Sequence, residues 1–268
     1  MHEPETTPAV PAGAVGAPDD WPAISAGNLA RFWEHSARAM AQRQVRWDDA
    51  WAADAASLSP YPNSATLTRP LDAAGASDLA ARLTAFYAAG PGGAWLLWSA
   101  WRSPDLTNYG FVLGGHPPQM VRPAGGEWPS RPADLRIVEA RDATTLAAFN
   151  TVLINGYPAP ELQAAGIGSF YDARALGGPL RLWVGFVGDE PVTCVAAYVG
   201  ERAVGIYAVA TLAHARGKGF GGAITARAAQ AAPALPAELQ ASDDGRPVYL
   251  RLGFRVVAPY TLWVHPRA

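Results

Sequence analysis

Apolar and polar residues recur along this chain with two different periods, and each change of period marks an element. In "NLARFWEHSARAMAQRQV", Leu29, Phe32, Trp33, Ser36, Ala37 and Met40 are spaced three and four residues apart, which places them on one helical face. With Asn28 available as a cap, the pattern predicts helix from Ala26 to about Ala56. The turn-rich "SPYPNSATLTRP" follows, with a short strand expected at Ala65 to Thr68. "GASDLAARLTAFYAAGPGG" predicts a helix from Ser77 or Asp78 to Ala88, stopped by Gly90 and Pro91. "AWLLWSAW" reads as a strand apolar on both faces, and "NYGFVLGGHPPQMVRP" as a strand edge followed by a loop. From Leu135 a second series begins. It runs through the strand "LRIVEA", a helix capped by Asp142, and a shorter or broken helical region, "ELQAAGIGSFYDARAL". The strands "RLWVGFV" and "PVTCVAAYV" meet across the hairpin turn "GDE", and "GERA" turns into "VGIYAVA". A glycine-rich loop and helix, the strand "AELQAS", a short helix in "DDGRPVYLRLG" and two short strands in "FRVVAPYTLWVHP" complete the chain.

Half of the 268 residues are hydrophobic and 16% are charged, enough apolar surface for one large domain or two modest ones. A formal net charge of −2 argues against nucleic acid as a partner, and the tryptophans of the first half lack the clustered lysine and arginine of a base-stacking surface. No apolar run is long enough to span a bilayer, and the amino terminus lacks the basic-then-apolar order of a secretion signal. Residues 1–24 are expected to form a flexible tail on a cytoplasmic protein with no membrane attachment. Cys194, the single cysteine, excludes an internal disulfide and reads as a small buried residue. No metal site is expected.

The stretch "TLAHARGKGFGGAITARAAQ" carries the most chemistry. A Walker A loop is excluded because Gly219, not a hydroxyl residue, follows Gly217-Lys218. Gly217, Gly219 and Gly222 fit G-x-G-x-x-G, and Asp243 and Asp244 follow the next strand. Yet antiparallel hairpins precede the loop where a dinucleotide fold needs repeated strand–helix units. The run Arg216-Gly217-Lys218-Gly219-Phe220-Gly221 matches Arg/Gln-x-x-Gly-x-Gly/Ala and resembles the acyl-CoA signature of the GNAT superfamily of N-acetyltransferases. "YAVATLAHARGKGFG" and "LQASDDGRPVYLRLGFR" extend the resemblance over about 55 residues in the family's order. The resemblance implies an α/β fold with a mixed, mostly antiparallel sheet flanked by helices, preceded here by a smaller α/β lobe. It also implies acetyl-CoA as cofactor. Independently of the name, helix N-terminal N–H groups and aligned peptide dipoles suit a diphosphate, and glycines let it approach the backbone. The N–H groups of Gly217, Lys218, Gly219, Phe220, Gly221 and Gly222 are expected to hold it, with Arg216 and Lys218 adding charge and the Phe220 ring packing under the helix.

By the same resemblance, the strand before the loop carries a bulge near Val209, Ala210 and Thr211, whose freed backbone groups pair with the pantetheine arm. Transfer from a thioester to an amine needs a neutral amine, a donor for the developing oxyanion and a stabilised leaving thiolate. Tyr249 occupies the position of the general acid, donating a proton or a hydrogen bond to the sulfur, and Ser242 would contact the cofactor or orient a water. The base stays open. Many family members carry a glutamate on the strand before the loop, and "AVGIYAVAT" has none. Tyr207, Glu139 and Tyr198 are alternatives, as is a water chain, whereas His214 suits a cap or a solvent-facing position. The acceptor pocket is implied between the helix pair "NTVLINGYPAPELQAAGIGSFYDA" and the last hairpin, with Tyr157, Phe170, Tyr171 and Tyr198 as lining candidates. Adjacent Phe170 and Tyr171 cannot share one narrow helical stripe, so at least one is expected in the core. Asp172 and Glu161 are the only nearby carboxylates, which argues against polyamine or aminoglycoside acceptors.

The Gly/Pro-rich stretch 124–133 is the expected boundary between a degenerate amino-terminal GNAT-like lobe, 25–123, and an acetyltransferase domain, 134–268. In the first lobe, Asn63, His116 and Met120 either face the substrate cleft or serve turns and packing. The function expected is acetyl transfer to a primary amine of a small molecule or peptide in a ternary complex, with a homodimer left open. The alternative is a non-catalytic acyl-CoA-binding or sensory module on the same fold.

Overall fold

The computed structural model describes residues 20–40, 43–57, 59–90, 93–157, 159, 161–164 and 170–266; most of the expected tail lies outside them. A six-stranded sheet contains β1 (Arg43–Arg46), β2 (Ala50–Asp54), β3 (Ser64–Leu67), β4 (Trp95–Ser99), β5 (Val112–Gly115) and β13 (Thr261–His265), in the order β1-β2-β3-β4-β13-β5. A seven-stranded sheet contains β6 (Pro118–Arg122), β7 (Leu135–Glu139), β8 (Leu180–Val187), β9 (Glu190–Val199), β10 (Val204–Thr211), β11 (Ala237–Gln240) and β12 (Arg255–Pro259). Its order is β12-β6-β11-β10-β9-β8-β7. Among the described residues only β3 with β4 and β10 with β11 pair parallel, so the fold is the expected mixed, mostly antiparallel α/β arrangement.

The two sheets exchange strands. β6 enters the seven-stranded sheet between β12 and β11, and β13 enters the six-stranded sheet between β4 and β5. A boundary at 124–133 therefore leaves β6 and β13 each across it from the sheet it joins. It also means that the last two strands form no hairpin, contrary to expectation, because β12 and β13 belong to different sheets. Stretch 124–133 is fastened rather than loose. Arg122 donates from Nη1 to the carbonyls of Pro123 and Gly125, from Nη2 to that of Glu127, and from Nε to that of Leu252. Its guanidinium lies 3.6 Å from the Trp128 ring centroid.

Helix α1 (Trp21–Ala39) packs against strands of both sheets. Phe32 and Trp33 share one core cluster with Trp51 and Ala53 of β2 and with Tyr207 of β10, and Phe32 stacks on Tyr207 at 4.2 Å. The helix expected to reach Ala56 stops at Ala39, and β1 and β2 follow. Alanine-rich "AWAAD" has helical propensity, but all five residues of β2 are buried between β1 and β3, and that burial overrides propensity. Helix α2 (Ala73–Ala88) starts before Ser77 because the Asp72 side chain accepts from Gly75 N at 2.8 Å. Helix α3 (Ala143–Gly156) has the Asp142 cap, reciprocated by Thr145. The remaining helices are α4 (Glu161–Ala164), α5 (Phe220–Ala229) and α6 (Arg246–Arg251). Asn63, His116 and Met120 serve turns and packing. Asn63 binds backbone groups of Ala55, Ser57 and Ala94, His116 meets the Tyr260 carbonyl, and Met120 is a core residue.

Two irregularities of β10 position the site. Its parallel pairing with β11 covers only Val204–Ala237 and Gly205–Glu238, so the strands part beyond Gly205. Against β9, the register shifts between Tyr207–Ala196 and Ala210–Cys194, a bulge of one residue. Ala208, inside the bulge, has φ +52°, a left-handed conformation costing a residue with a Cβ about 1–2 kcal/mol. Ala208→Gly is expected to raise stability by about 1 kcal/mol, measurable by urea unfolding.

Candidate active site

The loop between β10 and α5 is built from glycines in left-handed backbone. Gly217 has φ +78° and Gly219, the N-cap of α5, φ +83°. No side chain caps α5, and its first intrahelical bond runs from Ala223 N to Gly219 O. The N–H groups of Phe220, Gly221 and Gly222 precede that bond and are the helix's orphan donors. Their residues border a groove of about 830 Å³, lined also by Thr211, Arg216, Gly217, Gly219 and Ala223 and by Pro129, Ser130, Pro132, Asp244, Val248 and Arg251. A Cβ on Gly217 would meet nothing within 4 Å, and one on Gly221 would lie 3.4 Å from Thr211 Oγ1, so the glycines leave open space where side chains would project.

Of the two side chains expected to add charge, Arg216 lines the groove. Arg216 commits Nε to the Thr211 carbonyl at 3.1 Å and Nη2 to the Gly156 carbonyl at 3.0 Å, which ties the loop to the ends of β10 and α3. Lys218 is exposed beside the groove rather than part of its wall. Arg251 of α6 also lines the groove; its place two residues after Tyr249 was the available signal. The Phe220 ring packs below with Leu135, Val192 and Ala215, as expected.

Beside the groove lies the gap left where β10 and β11 part. This space, about 610 Å³, shares Thr211, Arg216, Gly221, Asp244 and Val248 with the loop groove and adds Val209, Ala210, Ser242, Asp243, Gly245 and Tyr249. A third space, an aromatic cavity of about 190 Å³, shares Val209, Ser242 and Tyr249 with the gap. Tyr249 thus stands where the gap meets the cavity. It is buried against Phe254 at 6.0 Å, and burial pushes its phenol up to about 12. Ser242 Oγ accepts from Gly245 N at 3.2 Å and its carbonyl from Arg246 N, so it starts α6 while lining both spaces.

The cavity lies between α1, α3, β4 and β10. Its described walls include Phe32, Trp33, Tyr61, Trp98, Tyr157 and Tyr207, and none of its described lining residues is charged. Tyr157 meets Tyr61 edge-on at 5.2 Å. Phe170 and Tyr171 both line the cavity. The helical-stripe argument does not apply because neither residue is helical. Asn150 instead brackets Tyr171, accepting from its N–H at 3.2 Å and donating to its carbonyl at 2.9 Å, while its hydroxyl meets Ser36 Oγ at 3.1 Å. Tyr198 is not among the lining residues; it stacks on His35 at 5.6 Å. The Trp33 indole N–H is buried with no acceptor among the described residues.

Of the base candidates, Glu139 lies away from these spaces. It pairs with Arg141 at 2.7 Å and with Arg181. The Arg181 hydrogen bond holds its carboxyl down at about 2. His214 faces solvent, paired with Glu190 at 3.0 Å. Cys194 is buried and burial pushes its thiol up, as a packing residue requires. Tyr207 lines the cavity, and its hydroxyl donates at 3.0 Å to a carboxylate missed in the sequence, Glu238 of β11. Burial raises Glu238 to about 7. Its proton is thus held more tightly in the folded chain than in the unfolded one, so the stability it confers is full below about pH 4 and is lost as pH rises through about 7. The stability of wild type relative to Glu238→Gln is expected to fall by roughly 3 kcal/mol between those limits, read by denaturant unfolding at several pH values.

No family model matches the sequence, and no curated protein matches it. Solved structures do match. A GCN5-related N-acetyltransferase from Kribbella flavida aligns at 20% identity over 89% of this chain and 96% of its own, with a TM-score of 0.63. A functionally unknown conserved protein from Staphylococcus epidermidis aligns at 15% identity over 85% and 96%, with a TM-score of 0.60. A GCN5-related N-acetyltransferase from Sphaerobacter thermophilus aligns at 12% identity over 93% of each chain, with a TM-score of 0.53. The chain therefore has the GNAT fold, and the likeness spans both sheets. No helix among the described residues is long and apolar enough to cross a membrane.

Proposed function

We propose that this protein transfers the acyl group of acetyl-CoA to the primary amine of a small, apolar acceptor. The observation that carries this reading is the adjacency of loop groove, strand gap and aromatic cavity, neighbouring spaces with shared lining residues, Tyr249 being common to the last two. The residues fit the cofactor: orphan N–H groups at α5 for a diphosphate, a gap between parted strands for an amide-bearing arm, and Arg251 in the groove wall. When bound, acetyl-CoA supplies the activated thioester. Backbone at 217–222 binds and orients it, the parted β10 and β11 direct its arm inward, and Tyr249 holds a hydrogen-bond donor at the junction.

The uncharged aromatic walls select the acceptor. A chain of several ammonium groups would be desolvated there without counter-charge, whereas a single amine on an apolar body buries well. The test measures CoA affinity by calorimetry, then thiol release from acetyl-CoA with 2-phenylethylamine, hexylamine, aromatic amino acids, spermidine and an aminoglycoside. Turnover with the apolar amines above that with the polycations is expected. Absence of CoA binding overturns the reading, and binding without turnover on any amine replaces it with an acyl-CoA-binding module.

A further inference from the structure

Glu238 lies on β11 opposite Gly205 of β10 and Val121 of β6, fully buried. Four donors converge on it. Tyr207 Oη and Asn28 Nδ2 reach Oε1 at 3.0 and 3.4 Å, while Ser25 Oγ and Gln240 Nε2 reach Oε2 at 2.6 and 3.2 Å. A carboxylate offers about four lone-pair sites, so the set suits the ionised form. Around Glu238, α1 offers Ser25 and Asn28, β10 offers Tyr207, β6 sets Val121 opposite, and its own strand adds Gln240. The link between β12 and β13 adds Tyr260, whose hydroxyl meets Ser25 Oγ at 2.7 Å. None of these groups is cationic, and no arginine, lysine or histidine contributes to the raised carboxyl. A buried acid is ordinarily paired with a cation; this one is saturated with neutral donors and held near neutrality.

Two of those donors, Tyr207 and Gln240, also line the aromatic cavity, and of the two only a phenol both takes and gives a proton. The chain makes room for the contact. A Cβ at Gly205 would lie 2.3 Å from Tyr207 Oη, so glycine there lets the phenol fold back along β10 towards Glu238.

We propose that Glu238 is the proton acceptor of this site, working through Tyr207, which lines the aromatic cavity and whose hydroxyl donates to the carboxylate. The proposal rests on the acyl-transfer reading above. As the bond from the amine nitrogen to the thioester carbonyl carbon forms and the carbon–sulfur bond breaks, an N–H proton passes to Tyr207 Oη. The proton of Tyr207 passes to Glu238 Oε1 in the same movement. The thiolate takes a proton from solvent and Glu238 returns one to solvent, so charge and protons balance over the cycle. A neighbouring strand thus provides the carboxylate that β10 lacks.

The full chain serves for the test. kcat and KM of wild type, Glu238→Gln and Tyr207→Phe are measured across pH with acetyl-CoA and the amine turned over fastest in the panel above; CoA binding and circular dichroism are recorded for each. Wild-type kcat is expected to fall about tenfold per pH unit below about pH 7. Both variants are expected to lose about 100-fold in kcat and to flatten that limb, with CoA affinity kept. An acidic limb and kcat unchanged in both variants overturn the relay while leaving the acyl-transfer reading intact. Failure of wild type to bind CoA, or to turn over any amine, overturns both. Should Glu238→Gln not fold, Tyr207→Phe decides alone, since it keeps the other three bonds to Glu238, and an unchanged limb in it overturns the relay.

Discussion

Tyr249→Phe is expected to lower kcat by roughly 10- to 100-fold, the worth of one hydrogen bond to a charged group, while CoA affinity is retained. Tyr249 lies on α6, whose start is fixed by Ser242, and its ring is wedged against Phe254 so that it stands between strand gap and cavity. Burial pushes the phenol up to about 12, whereas a thiol ordinarily ionises near about 8.5. A phenol so placed can donate a hydrogen bond and lower the energy of the developing charge without releasing its proton. As a hydrogen-bond donor Tyr249 keeps its proton, so the loss in the variant is expected to be independent of pH below about 9. Steady-state thiol release across pH reads both features. A kcat equal to wild type would remove Tyr249 from the chemistry.

Gly221→Val is expected to weaken CoA binding by at least about tenfold, near 1.4 kcal/mol. Gly221 sits in the first turn of α5 beside Thr211. The nearest atom to an added Cβ, Thr211 Oγ1 at 3.4 Å, leaves ordinary contact, so the helix accommodates the side chain. The branched methyls then occupy the groove in front of the orphan N–H groups. Lys218→Ala is the counterpart. Lys218 is exposed outside the wall, where its charge is screened by salt, so its loss is expected to cost less than that of Gly221 at physiological ionic strength. Calorimetric titration of both variants ranks backbone against side-chain charge, and the reverse order would place the grip on side chains.

The legible parts of this fold are those whose signal is local. From Leu135 onward, each strand and helix follows from periodicity and turn chemistry, because hairpins such as "GDE" and caps such as Asp142 act over a few residues. The glycine loop is legible for the same reason: left-handed backbone at Gly217 and Gly219 demands glycine. What escaped depends on distant partners. β6 reads as a loop because its neighbours, β11 and β12, lie more than a hundred residues downstream. β2 reads as helix because alanine is a good helix former until sheet burial decides otherwise. Glu139 looked like a candidate base until Arg181, 42 residues away, claimed it. Glu238 escaped because a four-residue strand does not reveal which face carries an uncovered cavity, and the donors on α1 that surround it come from the other end of the chain.

A crystal structure of the full chain with CoA bound tests the central claim most directly. The account predicts the diphosphate within hydrogen-bond distance of N–H groups between Gly217 and Gly222, the pantetheine arm between β10 and β11, and the sulfur beside the Tyr249 hydroxyl. A diphosphate held elsewhere, with the first N–H groups of α5 turned to protein acceptors and the strand gap closed, would contradict it.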